Sequence, residues 1–407
     1  MKKYKNIIVG AGAAGLYCAC FLDGSNNLIL EKGKRPGLKL LMAGSGQCNV
    51  THGGSIKDFL ELYGENGKRI RGVLQRHNNM ELCQFLTEVG VPVYESEDGK
   101  VFPKSMNGRD VLNALLEKAN AQIKYQSEVI RVSVLEGEAG YVVKTKDGDF
   151  LCDNLIIATG GASYPTTGSD GKLAKTISVD LNLEMEELRP ALTPVFVENY
   201  SYGDLSGISF KDIKITIGDT AIKNQKSAVG DLLFTLKNFS GPVIINSSRY
   251  MKTGDDLTIN FLWPRTSTEL VGKMKKDFPG NNKLVQHYLI DELGLVKRFA
   301  KLVAESMGVD NQKVSQLSGN QIKALATELC DKTFKISGLA GFKEAMATAG
   351  GISLGEVSTK TLEAKSCSGL YFIGEVLDVD GDTGGYNLQF AYSSARACAD
   401  HINTKQD

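Results

Sequence analysis

The sequence predicts an α/β fold in which a Rossmann-type dinucleotide-binding domain is split between the two ends of the chain and interrupted by a small β domain carrying helices. Three observations predict it. The chain opens with a strand, a glycine-rich turn, a helix and a second strand that ends in an acid. It closes with an apolar strand ending in glycine and an acid, then a glycine-rich run and a helix. Between about residues 190 and 349, short alternating β-branched runs give way to helices with Lys/Glu faces and back to a strand.

Taken in order, Asn6 to Val9 is a short apolar run that leads into Gly10-Ala11-Gly12-Ala13-Ala14-Gly15, and an Ala/Leu/Cys-rich helical stretch continues to Leu22. Asn27 to Leu30 reads as the second strand, with Glu31 at its end. Gly10 permits the tight turn, Gly12 lets backbone approach a pyrophosphate, and Gly15 lets helix and strand pack closely. The phosphates then sit on a helix N-terminus, and Glu31 accepts hydrogen bonds from ribose hydroxyls. Lys39 to His52 reads as a loop of small residues with no hydrophobic period, suited to wrapping an anion or a ring edge with backbone N–H groups. Residues 58–90 read as largely helical, and a further helix runs from about Arg109 to Ala119. Strands follow near 123–125, 128–135, 140–145 and 150–158, the last running into Thr159-Gly160-Gly161. The small β domain carries strands near 213–217, 232–235 and 257–261, helices fill 267–332, and 333–337 returns as a strand. Gly369 to Glu375 is the late strand; Asp378 to Asn387 is the glycine-rich run, and the last helix spans about Leu388 to His401. Such a helix points its positive N-terminal end at an edge where negative charge gathers, as on the N1/C2=O edge of a reduced flavin. FAD spans farther than NAD, so a site that draws on both ends of the chain points to FAD.

Composition removes several classes. The chain has 407 residues, 42% of them hydrophobic, enough for two or three domains with real cores. Forty-seven basic residues balance forty-seven acidic ones, so no global field draws it to nucleic acid or an anionic membrane, and a small-molecule ligand is the expectation. The eight cysteines show no metal-ligand or disulfide spacing, so neither a metal site nor disulfides are expected. The charged start and apolar run to Leu22 superficially match a signal peptide, but the glycine spacing speaks for a βαβ unit. No apolar run reaches membrane-spanning length, and a cytoplasmic, soluble protein is expected.

The blocks from Lys39 to Thr51, Ala158 to Pro165, Pro190 to Pro194, Ser240-Gly241-Pro242, Thr348 to Ile352 and Gly374 to Gln389, in that order, resemble the YhiN-like flavoproteins, also grouped as aminoacetone-oxidase-family FAD-binding enzymes. The resemblance implies a glutathione-reductase-like split FAD domain at 1–189 and 350–407, a β-barrel-like insert at 190–265 and 333–349, a helical insert at 266–332, and noncovalent FAD. It puts cofactor binding on Gly10, Gly12, Ala13, Ala14, Gly15, Glu31, Lys32, Lys39, Gly44, Ser45, Gly46, Gln47, Cys48 and Asn49 in the first part of the chain. Val129, Thr159, Gly160, Gly161 and Tyr164 follow, then Gly374, Glu375, Asp382, Gly385, Tyr386, Asn387 and Leu388. Two positions depart from the family pattern: Gln47 stands where an arginine is usual, and Leu236 where a histidine is usual.

Three residues are candidates for the chemistry. Cys48 is the candidate thiol, because a thiolate beside a flavin attacks C4a or relays electrons; with no second cysteine nearby, packing is the competing reading. Tyr164 and Tyr386 flank glycine-rich blocks and are candidate donors to a substrate carbonyl, against a role in lining the flavin. His52, Lys104 and Arg109 are weaker candidates. The function expected is hydride or electron transfer between FAD and a small-molecule substrate; with only one complete dinucleotide fingerprint, NAD(P)H is expected to dock transiently rather than in its own domain. Amine oxidation with oxygen and a noncatalytic redox sensor are the alternatives. Nucleic-acid modification is disfavoured by the slight basic excess of 267–332.

Overall fold

The computed structural model describes residues 1–135, 137, 139–218 and 225–405. They form two compact units: Met1–Leu192 with Gly341–Asp407, and Thr193–Ala340.

The first unit is built on a seven-stranded sheet. Its parallel part runs Gln122–Lys124, Asn27–Leu30, Lys2–Val9, Gly148–Ile157, with Leu370–Phe372 against the C-terminal half of Gly148–Ile157. The N-terminal half of that long strand pairs instead with Tyr141–Thr145, which continues antiparallel to Val129–Val134. Both faces of the parallel part are covered, so Ile7, Ile8, Ile29, Leu155, Ile156 and Ile157 are wholly buried and the strands read as continuous apolar runs. Register is pinned by an asparagine ladder: Asn6 Nδ2 donates to Asn27 Oδ1 (2.7 Å), and Asn154 Nδ2 donates to Asn6 Oδ1 (2.8 Å). The first helix, Ala13–Phe21, packs on the C-terminal helix, Tyr386–Thr404, through edge-on rings; Tyr17 and Tyr392 lie 5.4 Å apart. This packing joins the two ends of the chain. Helices Ile56–Leu62, Gly67–Arg76, Asn79–Glu88 and Gly108–Lys118 complete the covering.

In the second unit, six strands close a barrel: Val195–Val197, Phe239–Ser240, Lys226–Phe234, Ser209–Ile217, Asp256–Asn260 and Lys332–Leu339. Helices Ser267–Asp277, Val285–Asp291, Lys297–Ser306 and Gly319–Cys330 are inserted between the last two strands. They do not have a core of their own. Phe299 packs 4.8 Å from Phe210 and 4.9 Å from Phe261, so barrel and helices share one apolar cluster.

The sequence reading differs from this picture in three places, the first being that 266–332, expected as a helical domain of its own, shares the barrel's core. Residues 341–349, expected in the barrel, belong to the first unit, where Ala347–Ile352 pairs antiparallel with Met185–Ala191. The stretch expected as a loop from Lys39 begins as a one-turn helix, Leu38–Met42, then kinks at Gly44 and Ser45, both with φ 56°. Buried Leu40 anchors that turn, and a single turn is too short to register as a period. All eight cysteines are free thiols. Among the described residues no helix is long and apolar enough to cross a membrane.

Candidate functional site

The parallel strands end on a common rim, and the residues just beyond them line a single cleft of about 820 Å³ lying within the first unit. Val9-Gly10, Leu30-Glu31, Ala158-Thr159 and Ile373 each follow a different strand onto that rim, the place where open α/β sheets bind ligands.

Two helices point their N-termini at the cleft without side-chain caps. The first helix starts at Gly12, where an added Cβ would meet nothing within 4 Å; its open amides face the ligand space. Gly10 and Gly15 are held for steric reasons. A Cβ at Gly15 would stand 2.0 Å from the Gly10 carbonyl oxygen, and one at Gly10 would stand 2.6 Å from that of Ala158. The C-terminal helix starts at Gly385 (φ 97°), where a Cβ would stand 2.5 Å from the Thr51 carbonyl oxygen; Gly384, Gly385, Asn387 and Leu388 line the cleft at this end. Asn387 clasps the preceding loop, its Oδ1 accepting from the Gly381 N–H and its Nδ2 donating to the Gly381 carbonyl, both at 2.9 Å.

Each helix end has an acid beside it. Glu31 accepts from the N–H of Ala11 (2.8 Å) and of Gly33 (2.6 Å), while the neighbouring Lys32 pairs with Asp170 at 3.1 Å. At the other end, Glu375 pairs with Lys39 (2.5 Å) and accepts from the Ser163 hydroxyl (3.2 Å) and the Thr348 N–H (2.9 Å). Lys39 also donates to Ser163, whose N–H donates to the Thr348 hydroxyl.

Three buried side-chain oxygens on the lining, Asn49 Oδ1, Ser127 Oγ and Thr159 Oγ1, have no partner among the described residues. Buried polar atoms are rarely left so, and here they mark positions where a polar ligand completes the wall. A cleft of this size lined by two uncapped helix starts, one of them an open glycine turn, and by unsatisfied polar atoms fits FAD.

Of the residues expected from the sequence, Gly10, Gly12, Ala13, Ala14, Glu31, Lys32, Lys39, Gly44, Ser45, Gln47, Asn49 and Val129 line the cleft, as do Thr159, Gly160, Tyr164, Glu375, Asp382, Gly385, Asn387 and Leu388. Gly15, Gly46, Cys48, Gly161, Gly374 and Tyr386 do not. Gly161 and Gly374 are close-approach positions instead, where a Cβ would stand 2.4 Å from the Thr348 hydroxyl and 2.8 Å from the Ala14 methyl. Cys48 is wholly buried, and burial pushes its thiol up to about 12, which leaves it neutral and a poor nucleophile. Tyr386 is buried too, stacked on His52 at 5.3 Å with Phe59 edge-on at 5.0 Å; burial, with the Asp382 carboxylate adding to it, pushes its hydroxyl up to about 12. The His52 ring nitrogens are within hydrogen-bonding distance of the Gly53 and Asp98 carbonyls. Lys104 and Arg109 are exposed and lie off the lining. Of the three candidates for the chemistry, only Tyr164 lines the cleft.

Sequence reasoning missed Arg35, Phe102, Ser127, Leu192 and Met346 on the lining, and Ser163 and Thr348 behind it. For the last two a signal existed: both sit in blocks singled out above without an assigned task. Gln47 lines the cleft, whereas Leu236 lies in the second unit, 73% exposed in the turn between Thr235 and Asn238.

Comparison with known proteins agrees with this geometry. The HI0933-like protein Rossmann domain family matches residues 4–401. A ribosomal RNA dihydrouridine synthase of Haemophilus influenzae is 32% identical over 98% of this chain and 98% of its own, and one of Escherichia coli is 30% identical over 99% and 98%. A 3-dehydro-bile acid delta(4,6)-reductase of Clostridium scindens is 28% identical over 97% and 98%. A flavocytochrome c3 fumarate reductase in its open conformation shares the fold, with a TM-score of 0.51 and 15% identity over 99% of this chain and 78% of its own. The YhiN-like proteins are the same group, and the chain belongs to the HI0933-like family of Rossmann-type, FAD-binding flavoprotein oxidoreductases.

Proposed function

We propose that this protein is an FAD-dependent reductase that saturates a carbon–carbon double bond conjugated to a carbonyl, with NAD(P)H as a transient reductant. One observation carries the reading. Relatives that span 97–99% of this chain are named for two unrelated substrates, a uridine of ribosomal RNA and a 3-dehydro bile acid, and both names describe saturation of a double bond next to a carbonyl system. For the substrate, a uracil ring in ribosomal RNA is favoured by the two relatives at 30% identity or above. A free small molecule is the second reading, favoured by the zero net charge and by the bile-acid reductase.

FAD, when bound, supplies the two-electron carrier that takes hydride from a nicotinamide and delivers it to the β-carbon of the acceptor. The chain's own residues do the rest. The C-terminal helix, with Asn387 and Leu388 in its first turn on the lining, would hold the flavin by its positive end and would stabilise negative charge there. Glu375, fixed by Lys39 and Ser163, would hold the ribityl hydroxyls. Leu192 and Met346 supply apolar surface to the lining of the cleft. Tyr164 is the proton donor to the acceptor, as the one candidate on the lining.

The test is an anaerobic titration. NADH or NADPH is expected to bleach the oxidised-flavin band, and adding either unmodified ribosomal RNA or a conjugated enone is expected to restore it, with a product gain of two hydrogens by mass spectrometry. Bleaching by aminoacetone or another small amine alone would replace the reading with an oxidase. A flavin that no donor bleaches would replace it with a sensor. Tyr164→Phe is expected to slow reoxidation by substrate roughly 100-fold or more while leaving bleaching by the nicotinamide unchanged; equal slowing of both halves would remove Tyr164 from the role.

A further inference from the structure

Away from the lining of the cleft, the surface of the first unit carries a concentration of positive charge. The helix Gly67–Arg76 reads Gly-Lys-Arg-Ile-Arg-Gly-Val-Leu-Gln-Arg, and buries Ile70, Val73 and Leu74. At 100° per residue these three take one side. Lys68, Arg69, Arg71 and Arg76 spread over the exposed arc with Gly72 and Gln75 between them, and no carboxylate occurs from 66 to 80. The segment 353–365 lies alongside and adds Lys360 and Lys365, both exposed. Arg76 donates to the Lys360 carbonyl at 3.2 Å, Lys365 donates to that of Gly355 at 2.6 Å, and Arg69 reaches 4.0 Å from where a Cβ of Gly355 would stand. No ion pair of these six cations is found among the described residues, although Glu65 precedes the helix and Glu184, Glu356 and Glu363 border the patch.

The patch is tied directly to the flavin end of the cleft. Asn66, which leads into the basic helix, donates to the carbonyl and carboxylate of Asp378 at 2.6 and 2.9 Å. The Asp382 N–H donates to the Leu62 carbonyl at 2.9 Å, and the Tyr63 hydroxyl to the Tyr386 carbonyl at 2.7 Å. The loop that brings Asp382 to Gly385 to the cleft is therefore stapled to the base of the helix that presents the cations.

We propose that this face is a phosphate-backbone track for RNA, holding the strand whose uracil enters the flavin end of the cleft; this rests on the ribosomal RNA reading above. Phosphates need cations that are exposed and not already neutralised, and this face supplies six around one segment. A membrane surface is a poorer match, because the outward arc of the helix shows only Lys, Arg, Gln and Gly and no apolar side chain to enter a bilayer. Zero net charge conceals the patch, since its excess is balanced elsewhere in the chain.

The FAD-loaded full-length protein is titrated by fluorescence anisotropy against a fluorescein-labelled RNA hairpin with uridines in its loop, from 50 to 200 mM salt. A variant carrying Arg69→Gln, Arg71→Gln and Arg76→Gln is expected to bind on the order of tenfold or more weakly, with the log–log salt slope reduced by about 2, from three contacts at about 0.7 each. Lys68→Glu alone, at an exposed position, is expected to weaken binding in the same direction and guards against misfolding of the triple variant. Both should keep the flavin spectrum and its bleaching by NADPH. Wild-type turnover of uridine in ribosomal RNA with unchanged RNA binding by the variants would overturn the track and leave the functional reading intact. RNA binding through the patch without uridine reduction would support the track and overturn the substrate. Absence of RNA binding at 50 mM salt, or equal loss of binding to phosphatidylglycerol vesicles by the variants with no preference for RNA, would overturn the track.

Discussion

The two helix N-termini that face the cleft do similar electrostatic work and are held in opposite ways. At the first, Gly10, Gly15, Ala11 and Gly33 position the helix and Glu31, all within about two dozen residues of one another. At the second, Glu375 is fixed by Lys39, Ser163 and Thr348, which lie 336, 212 and 27 residues away in the chain. The first end is a local motif that folds with its own βαβ unit. The second exists only when distant segments have met, so it depends on the whole unit being assembled.

The sharpest way to break the comparison is to block each helix end with a methyl group. Gly15→Ala forces a Cβ against the Gly10 carbonyl, a close-packing violation of about 1–3 kcal/mol in a core that cannot shift, so binding of both FAD and ADP is expected to be lost. Gly385→Ala crowds the Thr51 backbone and adds left-handed strain of about 1 kcal/mol. It acts on the flavin end alone, so FAD affinity should fall while ADP affinity measured by calorimetry holds. Equal losses of ADP binding in the two variants would mean that the ends are not independent.

The acids give the next largest effect. Glu31→Gln can keep only one of two charge-assisted bonds from backbone N–H groups, at about 1.5–3 kcal/mol, or roughly ten- to hundredfold in affinity for FAD and ADP alike. Glu375→Gln leaves Lys39 part-buried without its counter-ion, so it should lower thermal stability as well as FAD affinity. Adding Lys39→Met should recover part of the melting temperature but not the affinity. A double variant no more stable than Glu375→Gln would show that the pair is not the source of the loss.

This division also decides what was legible in the sequence. The glycine turn, Glu31 and the strand-to-cleft residues Thr159 and Gly160 were readable because each rests on spacing within one strand–turn–helix unit. The Lys39–Glu375–Ser163–Thr348 cluster was not, since no periodicity links residues so far apart. Nor was the one-turn helix at Leu38–Met42, or the burial of Tyr386, which looks from its glycine neighbours like a ligand contact but is captured by His52, Phe59 and Tyr63. The basic helix is hidden for a different reason: neither the whole chain nor 267–332 carries a marked excess of positive charge, whereas the ten residues of Gly67–Arg76 do.

The C-terminal helix is secured from behind by His77, whose carbonyl accepts from Gln389 Nε2 (3.1 Å) and the Ser393 hydroxyl (2.5 Å). Burial lowers the His77 imidazole from 6.5 to about 4, against the pull of Asp400. The unfolded chain therefore binds a proton between those values that the folded chain refuses. Stability is complete above about pH 6.5 and is lost as pH falls toward 4, by roughly 1–3 kcal/mol. His77→Gln should flatten the melting temperature between pH 7 and 5 relative to wild type, and an unchanged slope would assign the acid sensitivity to carboxylates instead.

The smallest expected effect is at one of the residues that the sequence offers as a candidate for the chemistry. Cys48 sits in the glycine-rich loop beside the cleft, yet its side chain turns inward: its backbone has φ 63°, and a Cβ on Gly108 would stand 3.2 Å from its own. With the thiol pushed up to about 12 by burial, no thiolate forms near neutral pH. Cys48→Ala should leave both half-reactions within about twofold while costing about 1–2 kcal/mol of stability from the small cavity. Iodoacetamide at pH 8 should label Cys48 in the unfolded chain and spare it in the native one. A Cys48→Ala enzyme that bleaches normally with NADPH but cannot pass its electrons on would return the thiol to the chemistry, and would require the loop to open, because nothing in its closed geometry lets sulfur reach a ring.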